Sequence, residues 1–190
     1  MAAHPPRLIW LLAGLLALAG CGSTPAASSS SAPSSTAAAS AAEVQYASNK
    51  PPAAALLLCS QDVRGEVIAD ALNVPSVPAP QSSWADHVYS CTYALQQGRL
   101  VLAVTVAPSD AAARTDLKSM AGQLGATTQE PGLGQKAYST TAGTVVAVKD
   151  NLVLRVDATG MADDLGDTHE GRLDFARVIA AGVFSCWTGS

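Results

Sequence analysis

Four cysteines (Cys21, Cys59, Cys91 and Cys186), three histidines and one carboxylate run are the groups with the richest chemistry in this chain. No Cys-x-x-Cys is present, so neither a dithiol redox motif nor a zinc ribbon is supported. No Gly-x-Ser-x-Gly elbow presents a serine nucleophile. His169-Glu170 lacks a second histidine one turn on, so zinc is not gripped in the His-Glu-x-x-His manner. His87 reads as a residue flanking a strand rather than as a base. Asp163, Asp164, Asp167 and Glu170 put four carboxylates within eight residues, but not at EF-hand spacing. A helix N-terminus attracts acidic residues in any case, so they read as a solvated cap. Gly132-Leu133-Gly134 is followed by a strand pattern, whereas a dinucleotide loop precedes a helix; it reads as a tight turn. The residues therefore predict no catalytic set, no metal site, no cofactor and no enzyme.

Cys21 stands apart. Arg7 precedes an apolar run from Leu8 to Ala19, too short for the about 20 residues that cross a bilayer but suited to a secretory signal. Leu18-Ala19-Gly20-Cys21 closes it and resembles the lipobox of bacterial lipoproteins. The resemblance implies that residues 1–20 are removed and that the Cys21 sulfur carries diacylglycerol. Each buried CH₂ contributes about 0.8 kcal/mol, and two chains hold where one is marginal. The expected location is the outer face of the cell membrane, lipid-anchored and extracytoplasmic. An ordinary cleaved signal with an incidental cysteine is the alternative.

Losing residues 1–20 removes only Arg7 among the charged side chains, leaving 10 basic against 15 acidic and a net −5. That balance argues against nucleic acid and against electrostatic docking on anionic lipid. The 170 remaining residues suit one domain plus a tail. With two Phe in the chain, the core must be built from small aliphatics. Residues 21–49 are Ser, Ala, Thr and Pro with little charge, predicting a disordered linker after the lipidated cysteine. Its random-coil span is roughly 30 Å. Residues 50–190 are then the single globular domain.

Within that domain Ala53 to Leu58 reads as strand or helical lead-in. Ser60 caps a helix carrying Val63, Val67, Ile68, Ala71 and Leu72 at helical spacing, ending near Asn73. Pro75, Pro78 and Pro80 predict a loop running to Trp84. Val88–Leu95 and Leu100–Val106 read as a hairpin about a three-residue turn, Gln96-Gln97-Gly98, the second strand being central. Ser109 caps a second helix lined by Leu117, Met120, Ala121 and Leu124, with Gly125 ending it. The 130–138 segment is a loop entering a short strand. Thr144–Lys149 and Leu152–Ala158 pair about Asp150-Asn151. A final helix starts near Asp167, with Leu173, Ala176, Ile179, Ala180 and Val183 inward. The sum is α+β, an antiparallel sheet with helices packed on it, preceded by a disordered tail.

The order of landmarks resembles a family of actinobacterial cell-envelope lipoproteins of unknown function. Those landmarks are Cys59, Cys91-Thr92-Tyr93, Gly132-Leu133-Gly134-Gln135-Lys136-Ala137 and the Ala-rich stretch from Phe175 to Phe184, together covering residues 53 to 186. Some relatives look like the PsbP fold. The resemblance implies an architecture and an envelope role, not a reaction. It also matches Cys59 with Cys91 as the disulfide, while three cysteines allow three pairings. Cys186 exceeds the family's pair; unpaired, it reads as a buried thiol ahead of a dimer-forming one. Trp84 is the candidate partner contact, with packing over the sheet edge as the plainer reading. The leading expectation is a non-enzymatic envelope module, held to the membrane by its lipid, that contacts an envelope protein, glycan or lipid. The alternative is a carrier or sensor of a lipid or small apolar ligand in a cavity between sheet and helices.

Overall fold

Alternation along residues 98–106 sets the architecture. Leu100, Leu102, Val104 and Val106 are buried, while Val101, Ala103 and Thr105 between them are only half-buried. The structure is a computed structural model that describes residues 41–48, 50–166 and 170–188. The expected signal segment, Cys21, the expected linker before residue 41, and Asp167 and His169 of the carboxylate run lie outside the described residues.

Seven strands form one antiparallel sheet: β1 (Gln81–Ala85), β2 (Val88–Leu95), β3 (Gly98–Val106), β4 (Thr128–Glu130), β5 (Lys136–Thr140), β6 (Thr144–Lys149) and β7 (Leu152–Met161). Their spatial order is β1-β2-β3-β7-β6-β5-β4, so β3 and β7 are central and β1 and β4 are the edges. The helices are α1 (Ala41–Ala47), α2 (Ala53–Leu56), α3 (Asp70–Leu72), α4 (Asp110–Gln123) and α5 (Arg172–Thr188). A 3₁₀ turn, Leu57–Cys59, and a π-helix, Val63–Ala69, join α2 to α3. The α+β class is as the sequence predicts.

One face of the sheet carries the main core. Phe175, Ala176, Ile179, Ala180 and Val183 of α5 pack with Val63 and Ile68 of the π-helix over Leu102, Leu154 and Val156. The other face has a smaller core, in which Ala113, Leu117 and Ala121 of α4 cover Val146, Val148 and Val153. The two sets separate because successive strand residues point to opposite faces: Val145 and Ala147 join the first, Val146 and Val148 the second. The Ser60 hydroxyl accepts from Val63 N at 3.2 Å, and the Ser109 hydroxyl from Ala112 N at 3.2 Å. Both expected caps thus satisfy a first-turn donor. Asn73, at φ 52°, ends α3 in the left-handed region, and Asp150, at φ 54°, turns β6 into β7.

Several sequence expectations need correction. Residues 81–85 are a strand, not the end of a loop, because pairing to β2 supplies order that an apolar pattern does not. Thr128–Glu130 is likewise a strand, three residues long. The β2–β3 turn has two residues, since Leu95 pairs with Gly98. Gly98 holds φ +127° for another reason: a Cβ there would sit 2.2 Å from the Gly160 carbonyl of β7. The last helix begins at Arg172, and Glu170 instead bridges Leu165, backbone to backbone in both directions. Residues 41–47, assigned by composition to the linker, are α1, and its Tyr46 packs against the main core.

Candidate functional site

Cys59 and Cys91 form a disulfide, with Cα atoms 5.7 Å apart, tying the 3₁₀ turn to the middle of β2. Tyr93, two residues on and on the same face, donates its hydroxyl to the Leu58 carbonyl beside that bond. Burial pushes the Tyr93 phenol up, so it stays neutral and serves as a donor. Cys186 is a free, half-buried thiol. Burial first, then the carboxylates of Asp62 and Glu66, push its pKa up, so little thiolate forms and it makes a poor nucleophile.

Trp84 lies in β1, opposite Tyr89 of β2, half-buried against the main core. The Asp86-His87 turn follows, both residues at positive φ. The His87 ring meets Trp84 edge-on at 6.1 Å and stacks on Tyr46 at 4.0 Å. Its Nδ1 is buried and has no hydrogen-bond partner among the described residues. So the structure brings Trp84 and His87 together and adds Tyr46. The ring contacts of His87 are packing contacts with Tyr46 and Trp84.

The open feature is the edge beside Trp84. Among the described residues no strand pairs with the outer side of β1. Gln81, Ser82, Ser83 and Ala85 are all exposed, and none of the five residues is charged or proline. The register to β2 runs without a bulge from Gln81↔Thr92 to Ala85↔Val88. The Ser83 and Ser90 hydroxyls, 2.8 Å apart, hold the two strands together on the solvent side. Natural sheets ordinarily blunt such an edge with charge, proline, a bulge or a cover.

A second polar cluster sits at the far edge. Arg177 of α5 donates from Nε to Glu130 Oε2 at 3.0 Å and from Nη2 to Oε1 at 2.7 Å, and from Nη1 to Asp174 at 2.7 Å. Buried Ser139 donates to the same Glu130 carboxylate. The Arg177 hydrogen bonds hold that carboxyl below the usual glutamate range, with Ser139 assisting and burial opposing. Glu130 is thus bonded by both Arg177 and Ser139.

Asp163 of the carboxylate run pairs with Arg172 at 3.0 Å. Among the described residues no three His, Cys, Asp or Glu side chains converge as metal ligands. Gly132 and Gly134 both take positive φ, and Gln135 N donates to Val148 O at 2.8 Å, so the glycine pair forms a tight turn against β6. Tyr93, Leu102, Leu154, Phe175 and Ile179 are fully buried in the core under α5. Among the described residues, no helix is long and apolar enough to cross a membrane.

No family model, no curated protein and no solved structure matches this chain. Sequence reasoning missed β1 as an edge, Tyr46 as a packing residue and Glu130–Arg177 as a pair. The first had one signal, an uncharged Gln-Ser-Ser-Trp-Ala run after the prolines. The pair, 47 positions apart, had none.

Proposed function

We propose that the protein is a lipid-anchored, extracytoplasmic, non-enzymatic binding module that captures an extended segment of an envelope protein along β1. The regular, uncharged outer side of β1, paired with no strand among the described residues, carries the reading. Main-chain hydrogen bonds along such an edge supply affinity, and side chains at alternate positions supply selectivity. Gln81, Ser83 and Ala85 would face one side of the added strand, and Ser82 and Trp84 the other. The anchor rests on the Leu18-Ala19-Gly20-Cys21 motif, and the family likeness supports the envelope setting. The net −5 of the processed chain keeps nucleic acid out of the role.

The test is photo-crosslinking in intact cells, with the reactive residue at position 83 on β1 or at position 128 on β4. The expected result is one discrete heterologous adduct from position 83, none from 128, and its loss in Gln81→Lys/Ala85→Lys. Cys21→Ser should release the protein from the membrane fraction. Equal labelling from both edges, or an adduct that ignores the two lysines, overturns the β1 reading. An adduct containing a second copy of this chain replaces the heterologous partner with self-pairing. Retention of Cys21→Ser in the membrane fraction overturns the anchor.

A further inference from the structure

A cavity of about 410 Å³ opens where the chain leaves α3 and passes the β2–β3 turn. Leu72, Val77 and Leu95 give it an apolar wall, and Ser76, Gln96 and Gln97 a polar one. It lies at the end of β2 opposite the Asp86-His87 turn. Seven residue steps separate the two ends, roughly 23 Å at about 3.3 Å per residue. It is therefore distinct from the Tyr46–His87–Trp84 packing.

Its walls are fixed in advance. Pro75 and Pro78 sit in the rim and restrict its backbone. Val74 N donates to Ala69 O at 3.0 Å, tying the start of the loop to the π-helix. Ala162 N donates to Gln97 O at 2.7 Å, tying the hairpin turn to the chain beyond β7. A site held this way pays little ordering cost on binding. Its volume falls in the range of small-molecule sites, about 300–1,000 Å³.

The lining chooses the ligand. It contains no Asp, Glu, Lys, Arg or His, so a bound ion would lose hydration without a counter-charge. It contains no aromatic ring, so there is no cation–π cage and no stacking surface for a base. What remains is aliphatic surface beside two primary amides and a hydroxyl. Those groups suit an uncharged molecule with an aliphatic body and a hydrogen-bonding head. We propose that this cavity is a binding site for a small neutral amphiphile of that kind, held by its aliphatic part against Leu72, Val77 and Leu95 and by its polar head at Gln96 and Gln97. The site does not depend on what binds β1.

The test uses three probes with one chain length: octanamide, octanoate and octylammonium. Each is titrated into the full chain carrying Cys21→Ser, free of detergent, and followed by NMR at the Gln side-chain amides and the Leu and Val methyls. Octanamide should give saturable shifts at Gln96, Gln97, Val77 and Leu95 with a Kd below about 1 mM. The two ions should bind at least about tenfold more weakly, the direction set by uncompensated burial of charge. Val77→Trp should fill the cavity and abolish the shifts. If that variant does not fold, Gln96→Ala/Gln97→Ala, at the turn, should weaken octanamide while leaving the fold intact. Non-saturating shifts, shifts mapping elsewhere, equal binding of octanoate, or unchanged octanamide binding in a folded variant would overturn the proposal.

Discussion

The two edges of the sheet are finished in opposite ways. β4 is three residues long, and its Glu130 is clamped by Arg177 from α5 and by Ser139 from β5. Shortness and a paired charge are ordinary protections of an edge, whereas a proline adjoins both strands, Pro80 before β1 and Pro131 after β4. β1 is five residues long, regular and uncharged, with every residue but Trp84 exposed, and Tyr46 of α1 stacks on His87 in the turn that follows it. An edge left open beside a closed one is a liability unless it is used.

The largest effect expected on this contrast comes from the disulfide. Cys59–Cys91 pins the middle of β2, the strand that templates β1, and its sequence separation is 32. A loop of that size corresponds to about 3–4 kcal/mol on the chain-entropy account, whose mechanism is disputed. Cys59→Ala/Cys91→Ala should lose about that much in urea unfolding. Amide hydrogen exchange should rise first in β1 and β2 while β4 to β6 stay protected. Uniform loss of protection across the sheet would show that the open edge has no independent weakness.

The next effect lies at the closed edge. Glu130→Gln removes the charge that Arg177 grips and should cost about 1–3 kcal/mol, as for a broken charged hydrogen bond. Its pH signature follows from the direction of the shift. Glu130 titrates below its ordinary 4.5 in the folded state, so it binds fewer protons there than in the unfolded chain. Its contribution is complete above the ordinary value and is lost as pH falls through the lower folded one. Thermal scans from pH 7 to 3 should therefore show the parent approaching the variant at the acid end. A constant gap between the two would mean that packing, not charge, closes this edge.

The same contrast explains what was legible in the sequence. β3 and β7 announce themselves because a core strand must be apolar and β-branched at alternate positions, as Leu100, Leu102 and Val104 are. Ser60 and Ser109 were readable as caps because capping is local. The α5 stripe, Ala176, Ile179, Ala180 and Val183, was readable at helical spacing, but the helix start was not, because Glu170 is taken by a bridge to Leu165. The edges escaped detection for two reasons. β1 is polar, so no periodicity marks it. β4 is too short for a pattern and is held by a partner 47 residues away. Tyr46 was hidden in a segment whose composition otherwise argues for disorder. The 410 Å³ cavity arises where a proline loop passes a hairpin turn, and no spacing rule joins Val77 to Gln97.

The smallest expected effect discriminates best. Gln81 and Ala85 are exposed on β1, and neither side chain lies in a buried cluster. Gln81→Lys/Ala85→Lys keeps the Ser83–Ser90 hydroxyl contact and the Trp84 packing. Surface substitutions of this sort ordinarily fall within about ±0.5 kcal/mol. The pair should therefore leave urea unfolding nearly unchanged while placing on β1 the charge that blunts an edge. An edge needed for stability would respond differently: crowding by two lysines beside Val88 and Thr92, their partners in β2, would cost more than about 1 kcal/mol and lower protection in β2. Near-neutral stability together with lost crosslinking assigns β1 to binding. A clear stability loss would return it to the sheet as an ordinary structural strand.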